Sequence, residues 1–354
     1  MKISIVTPGI SGGGTERVAT ILANGFAERG HDICIVCCYY DNREYELDNA
    51  VIVSNVISEY RGFRGLIYRS LNLIKALHEQ EPDVVLSFVA PEMVIPQLFC
   101  PPTIQTLRND PWHFDTTWGK RLLIKRAFSS ACKVVFQTHK SMEFYPMSIR
   151  DKGIVLNNPL EVSHLPLWNK NTEAHEFIAA ARLNAQKNYP MMIRAFKEFH
   201  DSHPDWILTI YGDGDGRLEL EKLIVKLGLA GSVRLPGRSM EVHEHMAKAS
   251  AFLLSSDYEG VSNSMLEALC IGMPCIVTDH SPGGAREYIE DGVNGLLVKV
   301  GDYHGMARAM ERIASEPGLA CCLGERALLI RNQVDEHAVV GQWEKVLLDV
   351  VGNR

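Results

Sequence analysis

Short β-branched runs alternate with longer amphipathic runs along the whole chain. The first half contains the strand-like runs ISIVTP, DICIVCCYY, PDVVLSFV, TIQTL and KVVFQT. Between the first two, Val18, Ile21, Leu22 and Phe26 share one helical face, and Gly30 is the predicted C-cap. Strands that alternate with helices in this way form parallel, doubly wound sheets. The alternation therefore predicts an α/β fold.

The alternation stops once, at the Asn- and Pro-rich stretch GIVLNNPLEVSHLPLWNKNTEAH, and then restarts at EFIAAARL. A chain of 354 residues is also long for one hydrophobic core. We predict a first domain over 1–157, a second over 158–335, and a helix over 336–354 that could pack back on the first. The expected architecture is two Rossmann-like domains whose parallel sheets face a central cleft.

Charge is distributed unevenly along the chain. The total of 36 Lys and Arg against 43 Asp and Glu argues against a nucleic-acid binder. Residues 61–152, by contrast, hold 13 basic and 8 acidic residues, so the first half is the part that could approach an anionic surface. The start, MKISIVTPG, has too short an apolar core for a signal peptide, and no run reaches about 18 apolar residues. We expect a cytoplasmic protein, peripheral at most on the inner face of the membrane.

Three of the nine cysteines, Cys34, Cys37 and Cys38, fall within one strand-like run. No second CxxC or histidine has the spacing of a metal ligand set. Buried, reduced thiols are the prediction.

The loop after the first strand contains three successive glycines, in the stretch Pro8-Gly-Ile-Ser-Gly-Gly-Gly-Thr-Glu-Arg17. Glycines before a helix let the backbone approach a ligand, and the helix N-terminus favours an anion. The pattern is not GxGxxG, which disfavours a nicotinamide cofactor. A plain tight turn is the alternative.

Two cations, Arg182 and Lys187, lie at the carboxyl end of the strand-like run FIAAAR and just after it. Open α/β sheets bind ligands at the carboxyl ends of their strands, and two cations there suit a diphosphate. The alternative is a pair of solvated surface charges. The later turn, Tyr211-Gly-Asp-Gly-Asp-Gly-Arg217, lacks the other positions of a calcium loop, which favours a turn at the rim of the cleft.

The stretch SDYEGVSNSMLEA carries two glutamates, Glu259 and Glu267. Ser264 and Glu267 match the S-x-x-E capping box, and Glu259 could be a solvated loop charge. The pair nevertheless follows a buried strand and precedes a helix N-terminus, at the predicted sheet edge of Arg182 and Lys187. Acids near a polyol and cations near a diphosphate describe one ligand, a nucleotide sugar.

The chain resembles glycosyltransferase family 4, whose retaining enzymes have the GT-B architecture, and within it the branch that builds bacterial surface polysaccharides. The matching pieces run nearly end to end: SGGGTERVATILANGFAERGHDICIV, ARLNAQKN, YGDGDGRLELEKLIVKLGL, SVRLPGR and EGVSNSMLEALCIGMPCIVTDHSPGGAREYIEDGVNGLLV. Asn158-Pro159 resembles the Asn-Pro that begins the second domain of the family. Glu259 and Glu267 reproduce its E-x7-E pattern.

The resemblance implies a role for each matching residue. Arg182 and Lys187 would bind the donor diphosphate, where charge-assisted hydrogen bonds are worth roughly 1.5–3 kcal/mol each. Glu259 would contact the donor sugar, and Glu267 would hold the ribose hydroxyls. The remaining implied donor-site residues are Gly13 and Gly14 over the phosphates, Gly212 in the glycine turn, Arg238 near the base, and Gly260, Val261, Ser262, Asn263 and Ser264. The family uses no catalytic metal, so we expect no cofactor.

One segment departs from the family pattern. Many relatives carry a histidine after a strand of the first domain, whereas this chain reads Thr106-Leu-Arg-Asn-Asp-Pro111, with His113 displaced. The Arg-Asn motif resembles the surface-polysaccharide branch. Arg108 and Asn109 are therefore the candidates to face the anomeric carbon. A simple turn at the strand end is the alternative.

Two stretches, 61–75 and 112–126, interleave basic residues with apolar and aromatic ones. Amphipathic helices of this kind can lie on an anionic membrane leaflet. Two ordinary surface helices are the alternative. A polyprenyl-diphosphate-linked saccharide would account for both stretches, and a free saccharide acceptor would not need them.

The sequence thus predicts a retaining glycosyltransferase that uses a UDP-sugar, a hexose or N-acetylhexosamine donor, in bacterial polysaccharide or glycolipid assembly. A sugar-nucleotide epimerase of the same fold and a non-catalytic nucleotide-sugar-binding protein are the alternatives.

Overall fold

The computed structural model describes residues 1–40, 44–99, 101–113, 117–170 and 174–352. The chain forms two compact units. The first comprises Met1–Glu161 together with Val334–Arg354, and the second comprises Val162–Gln333.

The first unit is built on a seven-stranded parallel sheet with helices between the strands. Its strands are β1 (Lys2–Thr7), β2 (Asp32–Cys37), β3 (Ile52–Asn55), β4 (Val84–Ser87), β5 (Thr103–Thr106), β6 (Lys133–Phe136) and β7 (Gly153–Val155). Its first helices are α1 (Gly14–Glu28), α2 (Gly62–Gln80), α3 (Trp118–Ser130), α4 (His139–Glu143) and α5 (Met147–Arg150). Two 3₁₀ turns, Ala90–Met93 and Pro96–Leu98, follow β4.

The second unit is built on a six-stranded parallel sheet. Its strands are β8 (Glu176–Ala180), β9 (Ile207–Tyr211), β10 (Val233–Gly237), β11 (Ala251–Leu254), β12 (Cys275–Thr278) and β13 (Leu296–Val298). The helices of this part of the chain are α6 (Tyr189–His200), α7 (Arg217–Lys226), α8 (Val242–Lys248), α9 (Asn263–Ile271), α10 (Tyr303–Ser315), α11 (Leu319–Ala327) and α12 (Arg331–Val334).

The last helix, α13 (Glu336–Gly352), returns to the first unit and packs against α1. A Cβ at Gly25 of α1 would overlap the side chain of Val340, so glycine permits this close approach. Trp343 of α13 is fully buried in the same core. Just before α13, the Leu160 N–H donates to the Val334 carbonyl at 2.7 Å, which joins the two parts of the unit.

Both sheets have the same internal strand order. The first runs β3-β2-β1-β4-β5-β6-β7 and the second β10-β9-β8-β11-β12-β13. Each order is that of a dinucleotide-binding sheet, 3-2-1-4-5-6, with one added edge strand in the first unit. The order reverses between β1 and β4 and again between β8 and β11, and ligands of such sheets bind at that reversal.

Local sequence explains the individual elements. β4 and β11 are buried along their whole length, as expected for strands covered by helices on both faces. Gly30 has φ +80° and its N–H donates to the Ala27 carbonyl at 2.9 Å, which confirms the predicted end of α1. The three cysteines of the β2 region, Cys34, Cys37 and Cys38, are buried free thiols, as predicted.

Candidate functional site

The predicted donor-site residues of the second unit converge on the carboxyl ends of its central strands. Arg182 and Lys187 follow β8, and Glu259 follows β11. These two strands are neighbours at the point where the strand order reverses. The sheet therefore brings residues from two distant parts of the chain to the edge where a ligand is expected.

Hydrogen bonds join the connection after β8 to the connection after β11. Gln186 donates Nε2 to the Tyr258 carbonyl at 2.9 Å, and its own carbonyl accepts from the Asp257 N–H at 2.9 Å. Asn188 donates Nδ2 to Asp257 Oδ1 at 2.6 Å while its Oδ1 caps α6. Asn188 has φ +43°, a left-handed conformation that asparagine tolerates better than most residues. The two connections form one rigid edge.

Lys187 and Glu259 form a buried ion pair at this edge, and each side chain is 11% exposed. Ser256 Oγ donates to the same Glu259 oxygen at 2.9 Å, and the Glu259 N–H donates to the Ser281 carbonyl at 3.0 Å. Burial alone would raise the pKa of Glu259. The combined effect of Lys187, His280 and Ser256 is larger and lowers that pKa below its ordinary value. Glu259 is therefore an ionised carboxylate at neutral pH.

The glycine turn at 212–216 packs against the main chain that carries Arg182. Gly212 has φ +133°, and a Cβ there would overlap the Ala181 carbonyl oxygen. The Leu183 N–H bonds back to the turn at 3.0 Å. This close backbone approach is possible with glycine alone, and it fixes the direction in which Arg182 leaves the sheet.

A cavity of about 690 Å³ lies beside the glycine turn. It is lined by Arg182, Asn184, Asp213, Gly214, Asp215 and Arg238. The two guanidinium groups come from separate strand ends, β8 and β10, and arginine matches the geometry of phosphate oxygens. The two carboxylates lie in the stretch that the sequence pattern assigned to a turn at the rim of the cleft, and they can accept hydrogen bonds from hydroxyl groups. The cavity thus suits a ligand that carries both anionic and hydroxyl groups.

The capping-box prediction for Glu267 is wrong. Helix α9 begins at Asn263 with Ser262 as its N-cap, so Ser264 lies inside the helix and its hydroxyl meets that of Ser262 at 3.1 Å. Glu267 lies in the second turn, beyond the backbone N–H groups that a cap satisfies. Glu267 is buried, and its Oε2 lies 3.2 Å from Nε2 of His243. Nothing in the local pattern around His243 pointed to this contact.

Residues 260–264 form the entry to α9, directly after Glu259. The first three are buried, and the last two, at the start of the helix, are half-buried. A Cβ at Gly284 would overlap the Gly260 carbonyl oxygen, so the neighbouring loop holds this entry closely. The first turn of a helix presents backbone N–H groups that are not bonded within the helix and favour an anion.

In the first unit, the glycine loop leads directly into α1, whose N-cap is Gly13 and whose first residue is Gly14. The Gly12 N–H donates to the Glu44 carboxylate at 2.9 Å. A backbone donor of this loop therefore already meets an anionic group. The assignment of Gly13 and Gly14 to the donor phosphates stays a prediction.

Arg108 lies at the carboxyl edge of the first sheet and contacts Asn158, Phe88 and Trp343. Its Nη1 donates to Asn158 Oδ1 at 2.7 Å, and Gln137 Nε2 donates to the same oxygen at 2.8 Å. The guanidinium carbon lies 5.6 Å from the ring centre of Phe88 and 5.3 Å from that of Trp343. In the sequence, Asn158 could be recognised only as part of a family motif. No pattern in the sequence near Arg108 predicted its contacts with Phe88 and Trp343.

The residues after Arg108 form a tight local turn. Asn109 is half-buried, Asp110 is fully buried, and the Asp110 carboxylate lies 2.7 Å from Nδ1 of His113. That Arg108 and Asn109 face the anomeric carbon stays a prediction.

The first unit also exposes an unusual number of large apolar side chains. Phe63, Ile67 and Leu71 repeat every four residues on α2 and so form one stripe along that helix. The 3₁₀ turn Pro96–Leu98 contacts both α2 and α3. We define the apolar face by its exposed members, which are Phe63, Ile67, Leu71, Leu98, Phe99, Trp118 and Leu122. Phe63 and Phe99 are each 73% exposed and Trp118 is 79% exposed.

Exposed cations share the helices of the apolar face. They are Arg61, Arg64, Lys75, Lys120, Arg121, Lys125 and Arg126. Arg69, which the sequence pattern grouped with them, is buried instead. Its Nη2 lies 3.1 Å from Glu92, its guanidinium stacks over the Tyr39 ring, and Tyr39 donates to the same carboxylate. Residues 114–116 of the second basic stretch lie outside the described residues. None of the described helices has the length and apolarity needed to cross a bilayer.

Comparison with known proteins agrees with the fold and with the order of the motifs. Residues 12–145 match the family model described as Glycosyltransferase Family 4, and residues 166–329 match the one described as Glycosyl transferases group 1. HepE of Anabaena, solved in complex with UDP and glucose, superposes with a TM-score of 0.85 over 98% of this chain and 99% of its own, at 19% identity. Two parallel doubly wound units of this kind define the GT-B class of glycosyltransferases. The chain belongs to the family 4 type of that class.

Two of the similar proteins are named for work on saccharides. An N-acetyl-D-galactosaminyltransferase of Campylobacter jejuni, named for a saccharide acceptor on PP-undecaprenol, is 24% identical over 99% of both chains. An exopolysaccharide phosphotransferase of Streptomyces coelicolor is 36% identical over 174 residues, which are 49% of this chain and 18% of that protein. This chain therefore matches less than a fifth of the length of the Streptomyces relative.

Proposed function

We propose that this glycosyltransferase moves a hexose or an N-acetylhexosamine from a UDP-sugar to a saccharide or a polyprenyl-diphosphate-linked saccharide, with retention of anomeric configuration. The process would be bacterial polysaccharide or glycolipid assembly. One observation carries the proposal: the connection after β8, a strand at the reversal point of the second sheet, supplies both Lys187 of the buried pair with Glu259 and Arg182 of the cavity wall. The UDP and glucose held by HepE, and the lipid-linked acceptor named for the Campylobacter enzyme, support it.

Each group at this edge has a proposed task. The guanidinium of Arg182 and the ammonium of Lys187 bind the diphosphate and neutralise the charge that builds on it as the glycosidic bond breaks. These contacts accelerate the reaction to the extent that they strengthen in the transition state. Glu259 accepts hydrogen bonds from the sugar, and Glu267 accepts them from the ribose. Arg238 lies nearest the base, and the entry to α9 at 260–264 contacts the sugar and the distal phosphate.

The Lys187–Glu259 pair suggests how the edge responds to the donor. A buried ion pair loses much of its stability when either partner is left alone. A diphosphate beside Lys187 would supply a second anion to the same cation, which lets Glu259 turn an oxygen toward the sugar without leaving Lys187 unpaired. The ionised state of Glu259 fits this task, because a carboxylate can only accept hydrogen bonds and sugar hydroxyls can donate them.

No metal or other cofactor takes part in the proposed reaction. The cations Arg182, Lys187 and Arg238 would do the neutralising work that Mg²⁺ does in other transferases. We expect turnover to persist in the presence of EDTA.

The first experiment is a panel of nucleotide sugars. UDP-glucose, UDP-galactose, UDP-N-acetylglucosamine and UDP-N-acetylgalactosamine, with GDP-mannose as a comparator, are incubated with and without a polyprenyl-diphosphate-linked saccharide. We expect nucleotide diphosphate release from a UDP-sugar that rises with the acceptor. Isomerisation of the donor without acceptor would instead identify an epimerase, and tight UDP binding without transfer a binding protein. Absence of both binding and turnover across the panel would overturn the proposal.

We further propose that the apolar face rests on the inner leaflet of the cytoplasmic membrane, where such an acceptor would lie. Exposed apolar side chains flanked by cations are the signature of interfacial binding, and each cation near an anionic surface contributes about 1 kcal/mol. Sedimentation with phosphatidylglycerol vesicles should recover the wild type, and vesicles of phosphatidylcholine alone should recover less.

A triple variant tests which surface binds the vesicles. Phe63→Ser, Leu71→Ser and Trp118→Ser together should abolish sedimentation. A matched control replaces Leu218, Val225 and Met240, which are also exposed but belong to the second unit. Equal losses in both triple variants would count against the apolar face as the membrane surface.

A further inference from the structure

Helix α8 carries an imidazole to the carboxylate that the proposed function assigns to the ribose. His243 Nε2 lies 3.2 Å from Glu267 Oε2. The Glu267 side chain is 8% exposed and that of His243 is 26% exposed. α8 and α9 pack against each other, so this contact joins two helices of the second unit.

The chemistry of the contact fixes its direction. A carboxylate can only accept, so this contact is attractive when Nε2 of His243 carries the proton. Both the neutral Nε2–H tautomer and the imidazolium carry a proton on Nε2 that can point at the carboxylate. The imidazole holds one oxygen of Glu267. This contact restrains the orientation of the carboxylate, and so the direction from which the other oxygen can accept a hydrogen bond.

One further contact and one chain connection tie α8 to the cavity. His245 stacks on Tyr211 with ring centres 5.0 Å apart and an interplanar angle of 14°. Tyr211 ends β9, directly before the glycine turn at 212–216. The connection that leads into α8 carries Arg238, which lines the cavity. One short segment thus links the cavity wall, the glycine turn and Glu267.

We propose that His243 is a positioning residue for Glu267. By orienting Glu267, His243 determines how strongly the site distinguishes a ribonucleotide from a nucleotide without ribose hydroxyls. The proposal rests on the proposed function, since it takes Glu267 as the ribose contact. Helix α9 begins at Asn263, so Ser264 is not its N-cap. The expected capping box therefore does not orient the buried carboxylate of Glu267. Buried carboxylates need hydrogen-bond donors, and His243 supplies one.

The test measures equilibrium binding of UDP and of 2′,3′-dideoxyuridine diphosphate by calorimetry. Wild type should prefer UDP. His243→Ala should weaken UDP binding at least about tenfold, the lower end of the range for one charge-assisted hydrogen bond, and leave binding of the dideoxy ligand nearly unchanged. His243→Gln should retain the preference because its amide nitrogen reaches about as far as imidazole Nε2 and donates as well. In turnover, His243→Ala should raise KM for the donor and leave kcat unchanged.

Two controls separate positioning from general damage. His243→Asn cannot reach Glu267, so it should behave as His243→Ala and provides the test if the alanine variant fails to fold. Glu244→Ala changes the next, exposed residue of the same helix and should keep the wild-type preference. A loss that is equal for both ligands would show a merely structural role and overturn the proposal.

The failure of this proposal can be told from failure of the proposed function. If wild type binds UDP no better than inorganic diphosphate, the nucleotide site itself is wrong. If wild type prefers UDP over the dideoxy ligand and His243→Ala keeps that preference, the role of His243 alone is refuted.

Discussion

Removing the charges of the Lys187–Glu259 pair, singly and together, should separate the structural role of the pair from its chemical role. The three variants are Lys187→Met, Glu259→Gln and the double variant. Each side chain is 11% exposed, so each single change leaves one largely desolvated charge without its partner. Breaking a buried pair in this way costs about 3–5 kcal/mol. Glu259→Gln should fall at the lower end, because its amide oxygen still accepts from Lys187.

The double variant should be close to wild type in stability. Replacing both charges by neutral side chains of similar size removes the desolvation cost together with the attraction. Since each single variant loses about 3 kcal/mol or more and the double variant loses little, the predicted coupling energy between the two sites is about 6–8 kcal/mol.

The measurement is urea unfolding of all four proteins, with hydrogen exchange of the α9 amides to report on the second unit separately, because a chain of two units need not unfold in one step. Additive losses in the double variant would refute the reasoning, since they would show that solvent screens the pair. Turnover measured on the same samples gives the second half of the test. We expect the double variant to be folded and inactive, and wild-type turnover in it would show that these charges do no chemistry.

Three further predictions concern the same unit. Burial lowers the pKa of His280 below its ordinary value despite nearby Glu259, so the unfolded chain binds a proton at this histidine before the folded chain does as the pH falls below about 6.5. Stability should therefore decrease with falling pH. His280→Asn should show a shallower decrease in thermal melts between pH 7 and pH 5. Gly212→Ala should cost about 2–3 kcal/mol in urea unfolding and weaken UDP binding, because its Cβ would overlap the Ala181 carbonyl; an unchanged midpoint would contradict the close packing of the turn. Arg182→Ala removes an exposed side chain, so the free energy of unfolding of this variant should stay within about 0.5 kcal/mol of the wild-type value. Its turnover of the donor should fall at least about tenfold, and unaltered turnover would show that Arg182 is not part of the site.

The alternation of strands and helices was enough to predict the fold and the sheet edge where the candidate residues gather. Arg182 and Glu259 both follow short buried strands, and in a parallel sheet all carboxyl ends share one edge. Their proximity therefore follows from the strand pattern alone. The class of fold, and the surface that exposes apolar and basic residues together, followed from the same kind of local pattern.

Side-chain pairing across that edge could not be predicted in this way. Lys187 meets Glu259 because β8 and β11 are neighbours in a particular register, and register leaves no mark in a single sequence. The capping-box interpretation of Glu267 failed because Ser262, two residues before the expected cap, adopts the extended conformation that starts α9. The contact of His243 and the burial of Arg69 were both missed for one reason. A sequence shows which residues are charged or polar, but it does not show which of them pair with each other in the fold.

The stereochemistry of the product is the most direct test of the central claim. An α-configured UDP-sugar is supplied to the wild type with its acceptor, and the new glycosidic linkage is identified by proton NMR. Transfer with retention at the Lys187–Glu259 edge predicts an α-glycoside. A β-glycoside would contradict it.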